Sequence, residues 1–411
     1  MTRESSAPSS RQKAETPNLD SRALTRLRVL NCIRDAGEAS RTNIAAALRL
    51  SPATVTFVTS GLMSGDLIEE VTGDAPEGGR RGRPRVSLRL KRGGYHVAGI
   101  KVTRESLSIL VLDFDGSELA QSTVPLASPC MEPQELVEAI RDGVEATCRD
   151  LDGGTGSLAG ISIGLAGQVD PDTRFVHWSS SLLHRNADLG PLLDAHLPCP
   201  AFVENDANLV AKAEQLFGEA RGLNNFLVVT IEHGVGLGIV LDGALYRGER
   251  GCGAEFGHTK VELDGPPCQC GQKGCLEAFV GSYALLNAAS PCLNGAAKTV
   301  QSIVDSAKGG NQKAQAILDR AGQYFGMGLS NLINLFDPER IILAGAPAHF
   351  EYLHTDKVLD RVRSGVVKVD APLPDIRVHQ WGDLMWARGA AAMGIEKVSQ
   401  LKVRELGKNA S

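Results

Sequence analysis

No run of apolar residues in this chain approaches the roughly 20 that a bilayer-spanning helix requires, so no membrane span is expected. The first twenty residues lack the apolar segment of a secretory signal; residues 1–20 read instead as a disordered tail, and the expected compartment is the cytoplasm. No short-period repeat is visible. Cysteine is sparse, 9 in 411 residues, which in a long chain without a signal argues for reduced thiols or metal ligands and against a disulfide framework. Cys32, Cys130, Cys148, Cys199, Cys252 and Cys292 stand alone and read as small buried hydrophobes. What remains is ordinary globular composition in a chain too long for one core. A small module joined to a larger two-lobed body is the expectation.

The net charge of -5 conceals an asymmetry. Residues 1–95 hold 16 Lys+Arg and 10 Asp+Glu, leaving 27 and 38 for the rest, so a basic head precedes an acidic body. Such a head suits a polyanion, because its cations displace phosphate counterions. Apolar residues recur at helical spacing at Leu24, Leu27, Leu30 and Ile33, and Ala36-Gly37 ends the pattern. Ser40 can cap a short second helix carrying Ile44, Ala45 and Leu48. Ser51-Pro52 then starts a third as cap and first helical residue. In that third helix Val55, Val58 and Leu62 share one face, leaving Thr54, Thr56 and Phe57 among those able to point outward. A strand around Leu67–Val71, a partner over Val86–Leu90 and a Gly/Arg-rich loop between them complete a winged helix-turn-helix pattern. Ser51, Thr54 and Thr56 are the candidate groove contacts. Arg80, Arg81 and Arg83, separated by Gly and Pro in the wing, form a strip fit for a narrow minor groove. Beyond residue 93 apolar strands and helices alternate, which reads as α/β architecture with mixed sheets.

The most specific chemical signal is Gly257-His258 followed by Cys268-Gln-Cys270-Gly-Gln-Lys-Gly-Cys275. Three thiols and an imidazole make a closed tetrahedral zinc set, with Gly271 and Gly274 allowing the tight turn that brings the sulfurs together. With no open position, Zn2+ held by His258, Cys268, Cys270 and Cys275 would be structural.

These residues, with Val203-Glu204-Asn205-Asp206-Ala207-Asn208, Gly253-Ala-Glu255-Phe-Gly257-His258, Cys275-Leu-Glu277 and Asn331-Leu-Ile-Asn334-Leu-Phe-Asp337-Pro338, resemble the ROK family, which groups sugar kinases with sugar-responsive repressors. The resemblance covers residues 24–90 and 95–400. It implies an actin-like, two-lobed body of the sugar-kinase and RNase H-like kind behind an α+β winged helix-turn-helix. The expected divisions are 21–92 for the head and 93–411 for the body, whose smaller lobe is 93–207 plus the C-terminal helix and whose larger lobe is 208–383. The resemblance also places Asn205, Asp206, Glu255, His258 and Glu277 where the family hydrogen-bonds sugar hydroxyls, with Gly167 lining the cleft. Three acids and an amide suit a polyol, since carboxylates accept from adjacent hydroxyls.

In the family's kinases the counterpart of Asp206 is the general base, but phosphoryl transfer also needs a phosphate cradle. Here the first cradle reads Gly99-Ile-Lys101-Val-Thr103-Arg104, and the second Ile231-Glu232-His233-Gly234, putting a carboxylate where phosphate would approach. Leu343-Ala344-Gly345-Ala346 replaces a glycine run on the adenosine side. Gly234, Gly236 and Gly238 read as a structural turn between strands. The expectation is therefore a non-enzymatic, sugar-responsive regulator with a vestigial Asp206. It would bind operator DNA as a homodimer or dimer of dimers, with repression relieved by ligand as the family's usual arrangement. A sugar kinase with an appended head and a constitutive DNA-binding protein are the alternatives.

Overall fold

The computed structural model describes residues 20–72, 86–291, 298–368, 370, 372–379, 382 and 384–408. The expected tail (except Asp20), the wing arginines Arg80, Arg81 and Arg83, and Cys292 lie outside the described residues. The chain divides into two compact units, residues 1–204 with 391–411, and residues 205–390.

The first unit opens with the head: α1 (Ser21–Ala36), β1 (Glu38–Ser40), α2 (Arg41–Leu48), α3 (Pro52–Ser64), β2 (Ile68–Thr72) and β3 (Val86–Leu90). Side chains cap all three helices: Asp20 accepts from Ala23 N, Ser40 from Asn43 N and Ser51 from Thr54 N. The inward face of α1 is Ala23, Arg26, Val29, Leu30 and Ile33. Leu24, expected on that face, is exposed. The three-residue β1, which periodicity cannot signal, pairs with β3 through Ala39 and Leu88 and makes the wing sheet three-stranded in the order β1-β3-β2.

The same unit continues with β4 (His96–Val102), β5 (Ser106–Asp113), β6 (Glu118–Pro125), α4 (Pro133–Cys148), β7 (Leu158–Leu165), β8 (Gly167–Asp170), β9 (Phe175–Ser179), β10 (Ala187–Asp188), α5 (Gly190–His196) and β11 (Ala201–Asn205). Its main sheet runs β11-β7-β4-β5-β6, with β4 parallel to β7 and antiparallel to β5. Buried residues of β4, β5 and β7 share one core with Leu136, Ile140 and Val144 of α4.

The second unit contains α6 (Asp206–Phe217), β12 (Phe226–Ile231), β13 (Val235–Leu241), β14 (Ala244–Tyr246), α7 (Glu277–Val280), α8 (Ser282–Ala289), α9 (Val300–Lys308), α10 (Gln312–Phe336), β15 (Arg340–Gly345), α11 (Pro347–Leu353), α12 (Asp356–Gly365) and β16 (Asp375–Val378). Its sheet, β14-β13-β12-β15-β16, is antiparallel on one side of β12 and parallel on the other, as the mixed α/β expectation requires. Gly236 and Gly238 let β13 lie against α6: a Cβ at either would come within 2.8 Å of the Ala207 Cβ or the Ala211 Cβ. That is a packing role for these glycines.

The last helix, α13 (Met385–Lys408), begins in the second unit, and its residues from Ala391 onward belong to the first. There it meets the head. A Cβ on Gly65, which caps α3, would lie 2.8 Å from Leu406 Cδ2; Arg34 donates to Ser399 Oγ at 3.2 Å, and Lys402 Nζ stands 5.1 Å from the Tyr95 ring. Tyr95 in turn donates to the Gly65 carbonyl at 3.0 Å.

The isolated cysteines follow expectation only in part. Of those described, Cys148 is buried, whereas Cys32, Cys130, Cys199 and Cys252 are half-buried. Cys130, for example, uses its thiol as a donor to the Ser180 carbonyl at a loop edge, a role that composition cannot reveal.

Candidate metal centre and ligand site

His258 ends a short helical turn, Phe256–His258, seated on the start of β13: a Cβ on Gly257 would stand 2.2 Å from the Val235 carbonyl. Cys268, Cys270 and Cys275 lie on the loop that follows. Bridge pairing of Lys260 with Cys275 and of Pro267 with Lys273 folds that loop back on itself. Gly271 and Gly274 adopt φ of 88° and 69°, and a side chain at Gly274 would collide with the Glu262 carbonyl. The ligand atoms of His258, Cys268, Cys270 and Cys275 all fall within 4.8 Å of one another, so the cluster could hold a metal ion.

Its spacing can be tested against tetrahedral geometry. Sulfurs about 2.3 Å from a tetrahedral zinc stand roughly 3.8 Å apart, and a sulfur and an imidazole nitrogen about 3.5 Å. The Cys270 and Cys275 sulfurs are 3.7 Å apart, and Cys268 Sγ is 3.6 Å from His258 Nδ1. The donors fit. Burial pushes the Cys268 thiol up to about 12, so its thiolate needs a cation beside it. Cys270 moves the other way: burial opposes its ionisation, but the Gln272 backbone, the neighbouring thiols and Lys260 outweigh it and lower its pKa.

Lys260 and Tyr283 were not singled out by sequence. Lys260 Nζ lies 2.9 Å from Cys275 Sγ, and Tyr283 OH lies 3.6 Å from Cys268 Sγ and 3.3 Å from Glu277 Oε1. Lys260, two residues past His258 on the paired segment, could have been inferred from proximity. Tyr283 carries no periodic signal.

Of the other expected ligand residues of the second unit, Glu255 and Glu277 lie beside this cluster. His258 presents Nδ1 to Cys268 while Nε2 faces Glu255 Oε2 at 3.8 Å, so its two ring nitrogens look to different partners. Asn205 caps α6, its side chain accepting from Ala207 N and Asn208 N, and Asp206 is the first residue of that helix. Glu277, 8% exposed, accepts from Val235 N at 3.2 Å and lies beside Cys268 and Tyr283. It thus ties the metal loop to the β12–β13 turn, a positioning role that sequence did not anticipate. Gly167 belongs to the first unit, where φ of 139° and a Cβ position only 2.1 Å from the Trp178 carbonyl demand glycine.

On the head, Ser51, Thr54 and Thr56 stand at the N-terminal end of α3, with Ser51 and Thr56 exposed and Thr54 half-buried. Their hydroxyls are engaged locally: Thr54 with Ser51 at 2.8 Å, and Thr56 donating to the Pro52 carbonyl at 2.9 Å.

Residues 97–397 match the model of the ROK family. The chain is 30% identical over 358 residues to the DNA-binding transcriptional dual regulator NagC of Escherichia coli, covering 84% of this chain and 85% of that protein. It is 31% identical to the xylose repressor of Bacillus spizizenii over 306 residues, 74% of this chain and 77% of the relative. Among solved structures, a ROK family transcriptional regulator homologous to the Escherichia coli Mlc protein aligns with a TM-score of 0.78 at 26% identity, over 93% of this chain and 99% of that one. A ROK family glucokinase from Streptomyces griseus, in complex with glucose and AMPPNP, aligns at 0.62 and 26% identity, over 73% of this chain and 99% of its own.

Proposed function

This chain belongs to the ROK family, and we propose that within it the protein is a sugar-responsive transcriptional repressor. The observation that carries the reading is coverage. The glucokinase aligns over 99% of its own length yet reaches only 73% of this chain, whereas the regulator reaches 93%. What exceeds a kinase here is of the size of the basic head. Operator DNA is bound by that head, through Ser51, Thr54 and Thr56 and through Arg80, Arg81 and Arg83 of the wing. The protein works as a homodimer or dimer of dimers in the cytoplasm. A sugar or sugar derivative is the effector, held by Asn205, Asp206, Glu255, His258 and Glu277 with Gly167 lining the cleft, and Glu277 also positions the turn beneath through Val235 N.

His258, Cys268, Cys270 and Cys275 hold one zinc ion, whose chemistry here is structural cross-linking of the loop. His258 spends Nδ1 on the cluster and keeps Nε2 on the Glu255 side, where a hydroxyl ligand would be read. Catalysis is not part of this function. At one phosphate loop Lys101 stands where the kinases carry an acid and Thr103 and Arg104 where they carry glycines, and at the other Glu232 and His233 stand for Gly-Thr, which leaves Asp206 a base without a phosphoryl donor.

The test pairs operator binding with ATP turnover across one sugar panel. A cognate sugar is expected to change operator affinity by about 5–150-fold without releasing ADP, and Asp206→Ala to abolish that response while sparing DNA binding. Sugar-dependent ADP release with operator affinity indifferent to every sugar would establish the kinase instead.

A further inference from the structure

The exposed face of α3 carries Ala53, Thr56, Phe57, Ser60 and Ser64, opposite the buried Val55, Val58 and Leu62. No residue of Pro52–Ser64 is charged, and none carries a side-chain amide. The helix therefore lacks the Arg, Lys, Asn and Gln side chains that read base edges by paired hydrogen bonds. Its hydroxyls are already turned inward: Thr56 Oγ1 donates to Pro52 O, Ser60 Oγ to Thr56 O and Ser64 Oγ to Gly61 O, each at 2.9 Å. Phe57, by contrast, is 64% exposed near the middle of that face. Its ring forms one wall of a recess of about 390 Å³ whose other wall is the first turns of α1, where Arg22 stands.

We infer that this helix reads its operator through apolar contacts, with Phe57, flanked by Ala53 and the Thr56 methyl, seated against thymine 5-methyl groups. The inference deepens the regulator reading above and rests on it. Phosphate attraction must then come from arginines off the helix, such as Arg22, so that affinity and base choice reside on different elements. A thymine methyl is the one apolar feature of the major groove, and Ala, Thr and Phe are the side chains that complement it.

The full chain would be used to select duplexes from a random DNA pool. Each thymine of the recovered site is then replaced by deoxyuridine, which keeps every hydrogen-bonding edge and loses only the methyl. At one or more positions per half-site the parent is expected to weaken about five-fold or more. Phe57→Ala is expected to bind the thymine site correspondingly less tightly and to lose discrimination there, with unchanged thermal unfolding; Phe57→Leu should fall between. Selection of no sequence at all would sink the regulator reading and this inference with it. A selected site whose affinity is indifferent to every deoxyuridine sinks this inference alone, as does a Phe57→Ala protein that still discriminates. Intact DNA binding by Phe57→Ala with an altered mass in solution would assign the ring to protein contact instead.

Discussion

Ser282 Oγ donates to the Glu232 carbonyl at 2.7 Å, so where it meets His349 Nε2 at 2.9 Å it can only accept. His349 is thereby held as the neutral tautomer protonated at Nε2, with Nδ1 free to accept from the Tyr352 hydroxyl 2.7 Å away. The residue is 1% exposed, and burial pushes its pKa down to about 4. Unfolded, it would titrate near 6.5, so between those values the unfolded chain binds more protons. Its contribution is therefore fully present above about pH 6.5 and is lost as pH falls towards 4, roughly 3 kcal/mol in all. Denaturant unfolding at about pH 7.5 and about pH 5 checks this: the parent should lose some 2 kcal/mol more than His349→Gln over that interval. Equal losses would refute it. Little in the sequence announces this histidine: Tyr352 is local on α11, but Ser282, which fixes the tautomer, comes from α8, distant along the chain.

The metal loop lies at the opposite extreme of legibility. Its four candidate ligands fall within 18 residues, and the glycines that bend it are visible between them, so the clustering is conveyed by spacing alone. The helix starts of the head are legible for the same local reason, since Ser40 and Ser51 cap the residues that immediately follow them. What escaped is whatever depends on a distant element. The brief β1 exists because β3 offers it a partner, Glu277 gains a tying role because Val235 N lies beneath it, and Leu24 is exposed because steps of three residues drift by about 60° each around a helix, which puts it opposite Ile33. At this scale Cys270→Ser is expected to abolish stoichiometric zinc and to lower the thermal midpoint by about 5 °C or more. Metal analysis and melting in parallel decide the point. A metal-free parent with all three thiols open to alkylation in the folded state would remove zinc from the account.

Across the molecule, the excess of positive charge in residues 1–95 faces an acidic remainder, an arrangement that concentrates phosphate attraction in the head. Arg81→Ala with Arg83→Ala should therefore weaken operator binding and flatten the dependence of log affinity on log salt by up to about two units. Sugar binding should stay as it was. A salt series superimposable on the parent's would reduce the wing to a connector. The contact of Gly65 with Leu406 has a consequence for biosynthesis. A ribosome working at about 5–20 residues per second reaches the second partner some 20–70 s after the first. Through that interval the three head helices have been made, yet Ser399, Lys402 and Leu406, which brace Arg34, Tyr95 and Gly65, have not. The nascent chain thus carries its head unbraced until Leu406 has been added, long after the residues that it braces.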